Sequence, residues 1–301
     1  MALRNREYAY AAENSEKADF DDVYDRDLPI AYYERMREAS YGIPGEAAPF
    51  FLSLLDERSR LKLDGQTRRI VDIGCSYGVL AALLKYRLSL EELYDFYRAD
   101  RHPDLSREQS LVADHAFFQK QSRRDGIEVI GLDRASRAVE YGLRAGLLDH
   151  GINRDYEVLD SSTAVPSIGS IDLIISTGCV GYVGQKTFLH LLQSMRTPLP
   201  WIACFVLRMF DYTPISDMLS RFGYRTDHVQ AVSLRQRRFI SAEEKIHTID
   251  RVRRRGWATA DREETGFLFA DLFVSVPARQ PRDIDFASIF PIHPQAFEHA
   301  I

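Results

Sequence analysis

Arg68-Arg69-Ile70-Val71-Asp72-Ile73-Gly74-Cys75-Ser76-Tyr77-Gly78 decides the fold of this chain. Ile70 to Ile73 reads as a short apolar strand that breaks at Gly74, and Val79-Leu80-Ala81-Ala82-Leu83-Leu84 then reads as an amphipathic helix. A strand that turns tightly through glycines into a helix brings backbone N–H groups and a helix N-terminus up to a ligand. In α/β sheets such a turn lies beyond the carboxyl end of the strand, where small ligands bind.

The spacing narrows the ligand. A dinucleotide fingerprint needs Gly-x-Gly-x-x-Gly, whose second glycine admits the pyrophosphate. Here Ser76 and Val79 occupy the second and third glycine places, so a pyrophosphate would be poorly cradled. A phosphate-binding P-loop is excluded because no Lys-Ser/Thr pair follows. What remains, Asp72-Ile73-Gly74-Cys75-Ser76-Tyr77-Gly78, resembles the Asp/Glu-x-Gly-x-Gly-x-Gly turn of class I S-adenosylmethionine-dependent methyltransferases. Ser76 departs from the middle glycine of that pattern, although a small residue still permits close approach.

Working outward, the chain alternates strands and helices. Ile127 to Asp133 reads as a strand ending in an acid, Ala135 to Asp149 as a helix stopped near Gly151, and Tyr156 to Asp160 as a third strand. Ile171 to Thr177 is a fourth, broken by Gly178; Thr187 to Arg196 is helical, and Trp201 to Leu207 is a fifth. Continuous apolar runs of this kind are the mark of buried parallel strands. His228 to Leu234 and Thr265 to Val276 supply two more, the last expected to run antiparallel as in the family. The expected fold is therefore α/β, a Rossmann-like seven-stranded mostly parallel sheet.

Residues 1–64 are acidic and tyrosine-rich, with helical stretches at Ala31 to Glu38 and Pro49 to Leu55 around a Pro/Gly turn at Tyr41 to Gly45; they read as an N-terminal helical cap. Residues 65–276 form the cofactor-binding domain, and 277–301 a Pro-rich tail. In dinucleotide folds, which the methyltransferases resemble here, the ribose-binding acid follows the glycines by about 20 residues. Asp133 stands 55 residues after Gly78, so a helical insertion at about 88–125 follows the first helix.

Composition sets limits on partners. The 301 residues are 45% hydrophobic and 28% charged, as in an ordinary globular protein, and the formal net charge of −5 carries no basic field for nucleic acid. Arg235-Gln236-Arg237-Arg238 and Arg251 to Arg255 could touch phosphates, but no aromatics are interleaved with them. Met1 to Glu7 leads into no apolar run and reads as no signal peptide, and no stretch is long and apolar enough for a bilayer. Cys75, Cys179 and Cys204 are far apart with no metal-ligand spacing, so reduced thiols, a cytoplasmic location and no metal are expected. A homodimer is compatible with this reading.

The resemblance implies a site at four strand ends. Gly74 to Gly78, with Cys75 and Ser76, would face the methionine portion of S-adenosylmethionine, and Asp72 would order that loop and reach the amino group. Asp133 would accept from both ribose hydroxyls, each charged hydrogen bond contributing about 1.5–3 kcal/mol. Asp160, with Ser161 and Ser162, sits where the family contacts the adenine amine, and Ser176-Thr177-Gly178 would lie near the sulfonium. Read as sequence alone, Asp133 serves equally as a helix cap and Asp160 as a turn acid.

For the acceptor side, Tyr182 is the first choice to line the reaction site, by cation–π attraction or through its hydroxyl; packing against the following helix is the alternative. His190 is a candidate general base or else a core histidine. Arg208 would grip a substrate carboxylate or form a structural salt bridge. Tyr24, Tyr32, Tyr33 and Tyr41 would form a lid, with Tyr33 and Tyr41 as substrate contacts, unless they are ordinary helix packing. The activity implied is methyl transfer to the O, N or C of a small molecule, releasing S-adenosylhomocysteine. The alternatives are attack at another sulfonium carbon, giving aminocarboxypropyl transfer or cyclisation with release of methylthioadenosine, and a non-catalytic or RNA-directed binding protein.

Overall fold

The computed structural model describes residues 21–62, 67–98, 100, 105–160, 163, 166–195, 197–280, 284 and 286–290. Its centre is β1 (Arg68–Ile73), whose last four residues are all buried. Backbone N–H and C=O groups buried with those residues need partners, so the strand takes neighbours on both edges. It pairs in parallel with β2 (Ile127–Asp133) on one side and with β4 (Leu173–Thr177) on the other. The crevice between the ends of β1 and β4 is thus a topological switch point, where open α/β sheets bind ligands.

β3 (His150–Asn153) extends the sheet beyond β2, and β5 (Trp201–Leu207), buried at every residue, continues it beyond β4. β6 (Tyr224–Arg238) and β7 (Phe267–Pro277) complete the order β3-β2-β1-β4-β5-β7-β6, with β7 antiparallel to both its neighbours. The expectation of seven strands with an antiparallel last one holds.

The third strand differs from the expectation. It is His150–Asn153, and Tyr156 to Asp160 is a non-strand segment. The preceding helix is also shorter, α7 (Ser136–Arg144), ending before Gly146 at φ +78°. An edge strand needs no long apolar run, so the four-residue His-Gly-Ile-Asn segment gave little pattern to read.

Among the described residues, three helices precede the sheet: α1 (Asp21–Tyr24), α2 (Ile30–Glu38) and α3 (Ile43–Lys62). Helix α3 starts earlier than expected and carries Pro49 inside it; it packs on α4 (Val79–Lys85) and on β4, β5 and β6. The inserted stretch forms α5 (Leu90–Phe96) and α6 (Arg107–Gln119), as expected. Both begin with a capping box, Ser89 with Glu92 and Ser106 with Gln109, in which side chain and backbone exchange hydrogen bonds. Such caps contribute about 1 kcal/mol each. Helices α8 (Gln185–Ser194), α9 (Thr213–Arg221) and α10 (Ala242–Arg254) follow, then a short α11 (Phe286–Ile289) whose Phe286 packs on Trp201.

Candidate functional site

The turn after β1 is wound through three left-handed positions at alternate residues. Gly74 has φ +76°, Ser76 φ +46° and Gly78 φ +82°. Ser76 therefore takes the backbone of the glycine it replaces, a conformation uncommon for a residue with a Cβ. A Cβ at Gly74 would stand 2.8 Å from the Cβ of Cys179, so that close approach of the β1 and β4 loops needs glycine. Cys179 closes the same gap with its sulfur, 2.8 Å from Ser176 Oγ and donating to the carbonyl of Ile73 at 3.3 Å.

Asp133, at the end of β2, holds this turn. Its Oδ2 accepts from the backbone N–H of Ser76 at 2.8 Å, and its Oδ1 accepts from Ala135 N–H at 3.0 Å. Burial raises its pKa while those two N–H groups oppose the rise. Asp72 is only 2% exposed; burial first, and the neighbouring Asp133 charge second, push its carboxyl well above the usual range. Asp72 Oδ2 and Ser76 Oγ are both buried with no hydrogen-bond partner. Buried polar atoms cost free energy unless something pairs with them.

The N-terminal helices close over the turn. The hydroxyl of Tyr77 accepts from Arg26 N–H at 2.7 Å and donates toward the Arg26 carbonyl at 3.0 Å, and burial pushes its pKa up to about 12. Tyr41 hydrogen bonds with Thr177 at the end of β4 and lies near Asp72 and Cys179. The phenol of Tyr24 is within electrostatic reach of Tyr41, Tyr182, Arg237 and Asp133. The strand ends and the cap thus bring buried carboxyl groups and phenols together at the switch point.

Strand order and the antiparallel β7 decide the architecture. This is the class I methyltransferase fold. No protein-family model matches the sequence, and no curated protein matches it significantly. Among solved structures, the plantazolicin methyltransferase BamL, in complex with a triazolic desmethylPZN analog and SAH, is 11% identical, with 91% of this chain and 97% of that chain covered and a TM-score of 0.45. A TehB-like SAM-dependent methyltransferase from Corynebacterium glutamicum is 14% identical, covering 81% and 94%, with a TM-score of 0.37. The [4+2]-cyclase SpnF is 11% identical, covering 74% and 80%, with a TM-score of 0.35. These are distant likenesses of fold.

Within the class I fold of this chain, the expected residues separate into two groups. Asp72, Gly74, Cys75, Ser76, Gly78, Asp133, Ser176, Thr177, Gly178 and Tyr41 gather at the β1–β2–β4 ends. Tyr182 sits 41% exposed in the loop before α8, its N–H donating to the Cys179 carbonyl at 2.9 Å. Asp160 is exposed in the segment after β3, and its carbonyl accepts from Thr163 N–H. Ser161 and Ser162 lie outside the described residues.

Three expected residues have other work. Arg208 is buried, its Nη1 2.7 Å from Glu263 Oε2 and its Nε 3.5 Å from Asp271 Oδ2, so its charge is neutralised inside the fold and not offered to a substrate carboxylate. Tyr33 is 2% exposed and stacks on Tyr97 at a centroid distance of 4.2 Å, a packing role between α2 and the inserted helix. His190 is fully buried on α8, its ring stacked 5.3 Å from Tyr156, and no hydrogen bond reaches either ring nitrogen. A general base needs a proton path, and this ring has packing instead.

Two further contributors were not foreseen. Glu157 Oε1 accepts from Gly184 N–H at 2.8 Å, Thr187 N–H at 3.0 Å and Thr187 Oγ1 at 2.7 Å, so a residue after β3 caps α8, whose own N-cap Gly184 has no side chain to do so. Gln236 on β6 reaches Gly178, and its neighbour Arg237 makes a buried two-bond pair with Glu244, at 2.9 Å and 2.5 Å. The arginine run 235–238 is accordingly structural in part: Arg235 and Arg238 lie over the Phe267 ring.

Proposed function

We propose that this chain is an S-adenosylmethionine-dependent methyltransferase acting on a small-molecule acceptor. The observation that carries the reading is the pair Asp72 and Asp133 at the left-handed turn of the switch point, with Asp72 Oδ2 and Ser76 Oγ buried and unpartnered. Two neighbouring carboxyl groups whose ionisation is disfavoured by burial and by each other are relieved by a ligand bearing positive charge and hydroxyl donors, whereas a diphosphate would add to the repulsion. A sulfonium nucleoside with an ammonium tail meets both conditions. The residues present therefore fit the cofactor that the fold class implies.

When bound, S-adenosylmethionine supplies an activated methyl group. The chain's own residues would hold and orient it. Asp133, fixed by Ser76 and Ala135 N–H groups, keeps lone pairs for ribose hydroxyls. Asp72 and Ser76 offer acceptors for the ammonium end, and Asp160 would meet the adenine amine. Thr177 and Gly178 at the end of β4, together with Tyr41 and Tyr182, would line the reacting face. Positioning and exclusion of water are then the enzyme's main contributions, and well-oriented reactants gain about 7–11 kcal/mol.

The test is calorimetry with S-adenosylmethionine, S-adenosylhomocysteine, NAD and ATP, followed by mass spectrometry of the protein incubated with S-adenosylmethionine and candidate acceptors. The expected outcome is binding of both thioether nucleosides, no uptake of NAD or ATP, and S-adenosylhomocysteine as product. Methylthioadenosine as the product would replace methyl transfer with attack at another sulfonium carbon. Tight NAD or ATP binding with indifference to both adenosyl ligands would end the reading altogether.

A further inference from the structure

Gln236 occupies an irregular place in β6. Arg235 pairs with Phe269 and Arg237 with Leu268 on β7, so Gln236 is the extra residue of a β-bulge with no partner opposite it. Bulges bend a strand and re-aim a side chain, and they recur beside binding sites. This one turns Gln236 inward, where it is only 5% exposed. A Cβ at Gly178, which has φ +92°, would stand 2.2 Å from Gln236 Nε2, so the amide lies directly against the glycine that ends the β4 segment of the site. Gln236 Oε1 is buried and accepts no hydrogen bond.

The bulge also holds the cap in place. The Gln236 carbonyl accepts from Gly42 N–H at 3.0 Å, and Arg238 N–H donates to the Ala39 carbonyl at 2.8 Å. Gly42 adjoins Tyr41, whose hydroxyl meets Thr177 next to Gly178. Arg237, next in the strand, is held by Glu244 on the following helix. The amide lies against Gly178 with an unused carbonyl oxygen, and the adjacent Arg237 is within electrostatic reach of the Tyr24 phenol, which itself neighbours Tyr41 and Tyr182. Such an oxygen beside a cluster of phenols is suited to receive a donor hydrogen from a flat ligand.

The geometry points to Gln236 as the residue that selects the methyl acceptor, through a hydrogen bond from an O–H or N–H group on a small aromatic or heteroaromatic ring to its Oε1. This assignment rests on the methyltransferase reading and adds to it the acceptor's chemical class. A ring whose heteroatom is already capped leaves Oε1 buried and unpaired, and sites built around such a hydrogen bond reject analogues that lack the donor.

The experiment uses the full chain saturated with S-adenosylhomocysteine and matched probes that differ by one donor hydrogen: phenol against anisole, and indole against 1-methylindole, titrated by ligand-observed NMR. The wild type should prefer the donor of each pair by roughly tenfold. Gln236→Met, which keeps the volume and removes the acceptor, should abolish the preference while S-adenosylhomocysteine affinity stays within about twofold. Gln236→Glu, which keeps an acceptor oxygen, should retain it. A wild type without donor preference, including one that binds none of the probes, overturns the assignment, as does a preference that survives in Gln236→Met. A loss of S-adenosylhomocysteine affinity in Gln236→Met that Gln236→Glu restores would move Gln236 to the cofactor and also overturn it. Failure of the wild type to bind S-adenosylhomocysteine at all would strike the methyltransferase reading itself.

Discussion

The Asp133 carboxylate accepts a hydrogen bond from the backbone N–H of Ser76 at 2.8 Å, joining the end of β2 to the left-handed turn after β1. One side chain therefore both shapes the turn and presents its remaining lone pairs to whatever the turn holds. This relationship explains how Ser76 tolerates a positive φ. Its N–H is paired in that conformation, and the pairing partner is charged.

Asp133→Ala should lower affinity for S-adenosylhomocysteine by at least about tenfold, since charged hydrogen bonds contribute roughly 1.5–3 kcal/mol each. Asp133→Asn, which keeps one acceptor oxygen, should lose less. Isothermal titration of the three proteins checks the order. Affinity within twofold of wild type in Asp133→Ala would remove Asp133 from the ribose site.

Asp72 carries a pH signature. Burial, reinforced by Asp133, raises its folded pKa well above the unfolded value. A carboxyl shifted that way stabilises the fold fully below its unfolded pKa and loses that contribution as pH rises through the folded one. Asp72→Asn, which mimics the neutral acid, should therefore raise the Tm of the ligand-free protein at pH 7, and the gain should shrink toward zero as pH falls to about 4. About 1 kcal/mol corresponds to roughly 1–2 °C at this chain size. Thermal melts across that pH range read it directly, and an equal gain at every pH would assign the effect to something other than charge.

Glu157→Ala should destabilise the protein by about 1–2 kcal/mol, the scale of a lost helix cap, because Gly184 and Thr187 lose their common acceptor. Glu157→Gln keeps one carbonyl oxygen and should lose about half as much. Denaturant melts measure both, and hydrogen exchange should localise the loosening to the start of α8.

These residues also show what the sequence could tell. The β1 run and its glycines are local signals, so the turn, the switch point and the acid ending β2 are legible in the order of residues alone. Glu157 and its neighbours are not, because Tyr156 to Asp160 alternates like a strand while its actual work is to cap a helix nearly thirty residues later. Gln236 is hidden for a different reason. A bulge depends on register against β7, which no pattern within Arg235 to Arg238 encodes. Tyr33 and Arg208 stand out by residue type, yet stacking and ion pairing compete for those same types.

Tyr182→Ala should reduce turnover by about tenfold or more, with S-adenosylhomocysteine affinity changed by less than about threefold, if the ring orients the acceptor. Its partial exposure in the loop before α8 makes a large stability loss unexpected. Steady-state kinetics beside titration separates the two effects, and unchanged turnover in Tyr182→Ala would place the residue outside the reaction site.

Arg208 makes the opposite prediction. Its partners Glu263 and Asp271 are themselves buried, so Arg208→Ala leaves carboxylates in the interior without a counter-charge. Breaking a buried pair in this way costs about 3–5 kcal/mol. Burial already raises the Glu263 pKa, and Arg208 is the chief influence holding it down. Removing the guanidinium should raise it further, so the variant should recover stability as pH falls through the range where Glu263 protonates. Arg208→Ala combined with Glu263→Gln should regain part of the loss at pH 7, because the orphaned charge is gone. If the single variant melted like wild type and instead raised KM for the acceptor, Arg208 would belong to the substrate site and the buried pair would be incidental.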